Sequence, residues 1–316
     1  MVKQYYKSVM DLPREELFAR GHRMCQGCAA ALIMRWLTKA AGKDAIIVNA
    51  TGCVEVTTTV YPYTAWKHPW IHVAFENAAA VASGVETAIK MLKKKGRIPK
   101  DKDIKIIVVA GDGGTYDIGL QSLSGMLERY HNVMYVLYDN EAYMNTGIQR
   151  SGGTPLYAWT TTTPAGTVWR GERRPKKPIA DIVAAHRIPY VATANPAYVV
   201  DMVNKFKKGL EVEGPSFIHV FSPCTPGWRI DTAKTIEVAR LAVLTAVWVN
   251  YEIENDEFRV TSPVPRRKHV RHYLKLQGRF RHMTEEEIEA FQKYVDKEVE
   301  RINKLVGREV IGPVVD

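Results

Sequence analysis

The chain has 316 residues, 46% hydrophobic and 25% charged, an ordinary globular composition. No apolar run approaches the roughly 20 residues that span a bilayer, and the first residues lack the apolar core of a secretion signal, so a cytoplasmic location and no membrane contact are expected. A net charge of +10 suits nucleic acid, anionic substrates or an acidic protein partner without choosing among them.

The chain opens its first strong element with Cys25-x-x-Cys28, followed by a predicted helix over 29–41. A short apolar strand over 45–49 runs into Thr51-Gly52-Cys53. A strand over 70–75 precedes an Ala-rich helix over 76–95, whose Lys93-Lys94-Lys95 end suits a helix C-terminus. Apolar runs at 104–110 and 133–138 read as buried strands flanking a helix over 116–130. Residues 150–178 are rich in Gly, Thr and Pro with no period, and a loop this long is usually functional or wraps a partner. A helix over 179–185, a strand over 190–193, a helix over 196–210 and a strand over 216–221 follow. The last runs into Ser222-Pro223-Cys224-Thr225-Pro226-Gly227. A helix over 236–249, a basic stretch over 263–282 and a charged helix over 284–306 close the chain. Thr284 and Glu287 make a capping box for that helix.

Strands alternating with helices predict an α/β fold, a mostly parallel sheet with helices on both faces, with a C-terminal helical extension. Residues 1–250 are expected to carry the binding sites. Residues 251–316 are expected to form a basic extension ending in a helix. Its cations, Arg266, Arg267, Lys268, Arg271, Lys275, Arg279 and Arg281, read as a solvated or subunit-facing surface. No nucleic-acid partner is expected, because aromatics are sparse there and no recognised motif is present.

Gly111-Asp112-Gly113-Gly114 and Asp139-Asn140-Glu141-Ala142 each follow a predicted strand. A strand–helix–strand unit makes two parallel strands ending on one edge. Asp112 and Asn140 then project from carboxyl ends of strands, where open α/β sheets bind ligands. A carboxylate and an amide oxygen, with glycines that admit backbone N–H groups, suit a divalent cation holding a diphosphate. Either stretch alone is also an ordinary turn; the pair carries the signal. No P-loop and no dinucleotide fingerprint occurs.

The four cysteines are too few for a disulfide scaffold. Cys53 and Cys224 each lie just past a strand, and Cys25 and Cys28 open a helix. All can meet on one sheet edge, where four thiolates would hold Zn²⁺ or a [4Fe–4S] cluster. The alternative is buried free cysteines. Spacing does not separate zinc from iron–sulfur.

Together with Ala50-Thr51-Gly52-Cys53-x-Glu55, Gly111-Asp112-Gly113-Gly114-x-x-Asp117-Ile118-Gly119 and Tyr138-Asp139-Asn140-Glu141-Ala142-Tyr143-Met144-Asn145-Thr146-Gly147, these motifs resemble the β subunit of the 2-oxoacid:ferredoxin oxidoreductases, the family of the pyruvate, branched-chain 2-oxoacid and oxalate enzymes. The resemblance spans about residues 17–250 and implies a thiamine-diphosphate-binding fold. It implies Mg²⁺ held by Asp112, Asn140 and the Ala142 carbonyl, with Gly111 and Gly113 along the diphosphate. Gly52 joins the cofactor-binding set, and Glu55 and Asp117 are candidates behind the diphosphate whose alternative reading is as cap or turn residues. Asn145 would reach the substrate end of the cofactor as the catalytic candidate. Cys25, Cys28, Cys53 and Cys224 would hold a [4Fe–4S] cluster. His22, just before Cys25, is a further candidate beside the cofactor.

The implied activity is oxidative decarboxylation of a small 2-oxoacid, pyruvate first and oxalate or a branched-chain acid next. Electrons pass singly to the cluster and on to ferredoxin, with coenzyme A as acyl acceptor in pyruvate-type enzymes. The chain shows no second, pyrimidine-binding sheet domain and no ferredoxin-type cysteine run. The resemblance places these on an α subunit and on ferredoxin-like γ or δ subunits, so the isolated chain is expected to be inactive. Two alternatives remain: a non-oxidative thiamine-diphosphate lyase or synthase of the acetolactate-synthase kind, and a zinc-stabilised binding subunit.

Overall fold

The computed structural model describes residues 4–315. Its strands are β1 (Ala45–Ala50), β2 (Trp70–Val73), β3 (Lys105–Gly111), β4 (Met134–Asp139), β5 (Tyr190–Ala194), β6 (Ser216–Phe221), β7 (Tyr251–Glu254) and β8 (Glu257–Val260). They form one sheet in the order β2-β1-β3-β4-β6-β5-β7-β8. The first six are parallel to one another, and β7 and β8 form a hairpin added antiparallel to β5.

The helices are α1 (Ala29–Ala41), α2 (Cys53–Thr58), α3 (Ala78–Lys94), α4 (Leu120–Glu128), α5 (Ile179–Ala184), α6 (Val199–Glu211), α7 (Thr225–Trp228), α8 (Thr235–Leu244), α9 (Arg271–Leu274) and α10 (Glu285–Val306). The central strands read as unbroken apolar runs because both faces are covered. Along β3, Ile107 and Val109 join the layer built by Ile33 and Leu37 of α1 and Met202 and Phe206 of α6. Ile106, Val108 and Ala110 point the other way, into the layer of Ala82, Leu123, Val238 and Val299 from α3, α4, α8 and α10. The side-chain period of two in a strand produces this split.

The structure departs from the expected elements in several places, and α2, α7 and α9 are short helices that were not expected. The helix expected over 116–130 starts earlier, as a π-helical stretch from Gly113 to Ile118, and reaches α4 only after Gly119, whose N–H returns to Gly114 O at 2.8 Å. A Cβ on Gly119 would stand 2.1 Å from that oxygen, so only glycine admits the turn. The helix expected to reach 249 ends at Leu244. The hairpin from Tyr251 to Val260 was not anticipated, and it ties the start of the expected extension to the common sheet and core.

The basic stretch is only partly a surface. Arg266, Lys268, Arg271, Lys275 and Arg281 are exposed, whereas Arg267 and Arg279 are buried. Arg267 pairs with Asp296 at 2.7 Å, and Arg279 with Glu141 at 2.6 Å. The capping box of α10 forms as expected, with Glu287 N–H to the Thr284 hydroxyl at 3.3 Å and Thr284 N–H to the Glu287 carboxylate at 2.8 Å.

Candidate cofactor and cluster site

The carboxyl ends of neighbouring strands β1, β3, β4 and β6 deliver Thr51-Gly52-Cys53, Asp112-Gly113, Asn140-Ala142 and Cys224 to one rim. The chain reverses its direction of travel across the sheet between β1 and β3, where a crevice opens in folds of this kind. The glycine-, Asp112-, Asn140-, Cys53- and Cys224-bearing motifs therefore lie along four adjacent strands, and Cys25-x-x-Cys28 joins them from the start of α1.

The Asn140 side-chain oxygen stands 2.8 Å from Asp112 Oδ1 and 2.9 Å from the Ala142 carbonyl. With the amide turned, its nitrogen would donate to both, so these groups close on one another in the free chain. With the oxygen inward, three oxygens converge without a donor. Ligand oxygens in an octahedral Mg²⁺ shell, bonded at about 2.1 Å, lie about 3 Å apart. The set fits that ion. Asp112 is buried, and burial followed by the charge of Asp139 pushes its carboxyl well above the ordinary range. The Ser151 hydroxyl donates to Asp112 Oδ2. A divalent cation reverses that balance and favours the carboxylate.

A cavity of about 180 Å³ opens over this set, walled by Gly52, Gly111, Gly113, Ala142 and Met144 among others. A Cβ on Gly113 would stand 2.4 Å from the Tyr143 ring, and one on Gly52 would stand 2.6 Å from the Tyr138 hydroxyl. Backbone rather than side chain faces the cavity at both positions, as a diphosphate requires. Asn145 is exposed and lines the mouth.

A second cavity of about 310 Å³ is lined by Cys25, Cys28, Cys53 and Cys224. Cys53, Asn140, Met144 and Asn145 belong to the walls of both cavities. Cys28, Cys53 and Cys224 stand at the N-terminal ends of α1, α2 and α7. The Gly227 N–H donates to Cys224 Sγ at 3.4 Å. Burial raises the thiols of Cys28, Cys53 and Cys224, the last to about 12, and their neighbouring cysteines add to it. Bound metal is what turns such thiols into thiolates. Among the described residues, no three His, Cys, Asp or Glu side chains enclose a single ion. The four cysteines line one cavity, and such a set could hold a cluster or zinc.

Behind residues 140–142 lies a group the sequence did not reveal. Asp139 accepts from Lys176 at 2.6 Å, His219 at 2.6 Å and the Tyr116 hydroxyl at 2.7 Å. Burial works to raise its carboxyl, but Lys176 and His219 outweigh this and hold it below the ordinary range. Glu141 accepts from Lys176 at 2.9 Å and Arg279 at 2.6 Å. The Trp228 indole N–H donates to the Asn140 carbonyl at 2.7 Å. Lys176 comes from the long loop and Arg279 from the C-terminal region, whereas His219, Tyr116 and Trp228 come from β6, the π-helical stretch and α7, so no local sequence pattern joins them.

The remaining candidates sit further out. Asp117 accepts from the Tyr143 hydroxyl at 2.9 Å and the Gly152 N–H at 3.0 Å, so it braces a cavity wall. Glu55 faces His72 at 3.6 Å and Thr59, on the outer side of α2. His22 stacks on Phe18, with ring centroids 5.3 Å apart, in a separate cavity with Arg20, Arg35 and Lys67.

The thiamine pyrophosphate enzyme family, C-terminal TPP binding domain, matches residues 50–220. The pyruvate synthase subunit PorB of Methanocaldococcus jannaschii is 60% identical over 299 residues, covering 95% of this chain and 99% of that protein. The ketoisovalerate oxidoreductase subunit VorB of Pyrococcus abyssi is 50% identical over 313 residues, covering 98% and 99%. Among solved structures, a 2-oxoglutarate:ferredoxin oxidoreductase from Magnetococcus marinus with 2-oxoglutarate, coenzyme A and succinyl-CoA bound is similar, with a TM-score of 0.54 and 23% identity. The match covers 75% of this chain and 82% of that one, and it is a likeness of fold.

Proposed function

The chain belongs to the 2-oxoacid:ferredoxin oxidoreductases as a β subunit of the PorB/VorB type, and we propose that it anchors thiamine diphosphate and a [4Fe–4S] cluster side by side in a pyruvate-oxidising complex. One observation carries this reading. The Asp112 and Asn140 side chains and the Ala142 carbonyl meet at a cavity that shares Cys53, Asn140, Met144 and Asn145 with the four-thiol cavity. That shared wall also weighs against a non-oxidative synthase, which has no use for an adjoining thiol ring.

Thiamine diphosphate, when bound, supplies the carbon nucleophile and electron sink for decarboxylation of a 2-oxoacid. The chain's residues provide placement. Asp112, Asn140 and the Ala142 carbonyl would hold Mg²⁺, and Gly52, Gly111 and Gly113 leave room for the diphosphate against backbone. Cys25, Cys28, Cys53 and Cys224 would hold the cluster, a one-electron acceptor. Asn145, at the common mouth of both cavities, is placed to orient substrate. Tyr143, braced by Asp117, closes one side against water.

Pyruvate is the proposed substrate, ahead of 2-oxoisovalerate and oxalate, because 60% identity to a pyruvate synthase subunit exceeds 50% to a ketoisovalerate subunit. An α subunit carrying the pyrimidine-binding half, ferredoxin-like subunits, ferredoxin and coenzyme A complete the proposed assembly. The test is the purified complex assayed with pyruvate, 2-oxoisovalerate and oxalate, each with and without coenzyme A. Highest kcat/KM with pyruvate and strict coenzyme A dependence are expected. Preference for another acid would overturn the substrate assignment, and absence of bound thiamine diphosphate would overturn the whole.

A further inference from the structure

We propose that Lys176 and Arg279 are positioning residues for the metal-ligating loop, so that cations from outside the sheet rim set the Mg²⁺ affinity and selectivity of the diphosphate site. The inference rests on the cofactor reading above and deepens it.

Along residues 139–142 the side chains alternate. Asn140 faces Asp112, while its neighbours turn back into the protein. Asp139 meets Lys176, His219 and Tyr116 there. Glu141 meets Lys176 and Arg279. Glu141 also holds a left-handed backbone, φ 68°, which a side chain sustains only when its surroundings enforce it. Arg279 enforces it twice. Its guanidinium bonds the Glu141 carboxylate and lies 3.7 Å from the centroid of the Trp228 ring, which in turn bonds the Asn140 carbonyl. Gln277 fixes the guanidinium from the far side at 3.0 Å. The Thr154 hydroxyl holds the Glu141 carbonyl at 2.8 Å.

Lys176 bridges both acids from the loop over 150–178, and Arg279 reaches in from the basic C-terminal region. Both segments thereby belong to the cofactor machinery. Partners outside a metal's ligands typically govern tenfold to hundredfold in metal affinity. Mg²⁺ demands near-ideal octahedral geometry, whereas Ca²⁺ tolerates distortion. A loosened loop therefore costs Mg²⁺ more than Ca²⁺.

The experiment uses the whole complex, stripped of divalent metal, with Arg279→Met, Lys176→Met and the charge-keeping Arg279→Lys. Retained thiamine diphosphate is measured by equilibrium dialysis against Mg²⁺ or Ca²⁺. The half-saturating Mg²⁺ concentration is expected to rise roughly 10–100-fold in the Met variants, and less for Ca²⁺. Arg279→Lys is expected to fall between, since it keeps charge and loses the flat contact on Trp228. An unchanged Mg²⁺ midpoint, or equal losses for both ions, would overturn the proposal. Where a Met variant fails to assemble, Glu141→Gln removes the anion instead and is held to the same two outcomes. A wild-type complex that retains no thiamine diphosphate with either ion would overturn the cofactor reading itself.

Discussion

Trp228 donates its indole N–H to the main-chain oxygen of Asn140 at 2.7 Å, and its ring is fully buried. Trp228 ends the short helix α7, whose N-cap is Cys224. A single hydrogen bond thus joins the loop proposed to hold Mg²⁺ and the loop proposed to hold the cluster. Trp228→Phe keeps an aromatic ring and leaves a buried carbonyl unpaired. The variant is expected to lose about 1–3 kcal/mol of stability, read from urea unfolding of the complex.

Removal of the divalent ion tests the oxygen set directly. Dialysis against a chelator is expected to release thiamine diphosphate, and Mg²⁺ to restore its binding. Asp112→Ala is expected to bind none at the same Mg²⁺ concentration. Mg²⁺ with cofactor at about 100 times the dissociation constant would add about 2.7 kcal/mol to wild-type stability and nothing to the variant. Chelator-treated complex that keeps its cofactor would refute the assignment.

The two cavities predict separable losses. Cys28→Ser and Cys224→Ser, which line only the thiol cavity, are expected to lose bound iron, broad visible absorption and ferredoxin reduction, while thiamine diphosphate binding persists. Iron and cofactor are assayed on the same preparation. Full iron content in both variants, or zinc in the wild type, would remove these residues from a cluster.

Much of the rim was legible because strand-end chemistry is local. A run such as Ile106 to Ala110 ending in Gly-Asp-Gly announces both the strand and what it presents. Lys176 and Arg279 were illegible for the opposite reason: they meet Glu141 from distant segments, and buried cations look like surface ones in a sequence. Arg279 lies among Arg271, Lys275 and Arg281, which are exposed. The hairpin was within reach. Tyr251, Ile253, Phe258 and Val260 alternate with Glu252, Glu254, Glu257 and Arg259 around Asn255-Asp256, and both turn residues take positive φ, 50° and 67°.

Acid sensitivity is expected where the N-terminal segment crosses α1. Hydrogen bonds from Arg35, then Lys39, lower the Glu16 carboxyl to about 2, although burial works against them. A lowered carboxyl stabilises the fold above its unfolded value, about 4.3, and that contribution disappears as pH falls towards 2. Wild type is therefore expected to exceed Glu16→Gln in urea midpoint at pH 7 by a small margin, because the group is partly solvated. The margin should shrink below about pH 4.3. A margin that stays constant with pH would show that the pair contributes nothing through charge.

Gly113 gives the sharpest steric test of the diphosphate cavity. An added methyl would meet Cε1 of Tyr143 at 2.4 Å. That ring cannot simply swing away, because its hydroxyl is held by Asp117 at 2.9 Å and its face lies against Phe75, with centroids 5.7 Å apart. The backbone after β3 must move instead, carrying Asp112 with it. Gly113→Ala is expected to cost about 1–3 kcal/mol in stability and to weaken thiamine diphosphate binding. Pairing it with Tyr143→Leu relieves the collision and should recover part of the binding, since the smaller side chain leaves Asp112 in place. If the single variant binds the cofactor like wild type, backbone approach at Gly113 is not what shapes the cavity. If the double variant recovers nothing, Tyr143 itself is needed there as a wall.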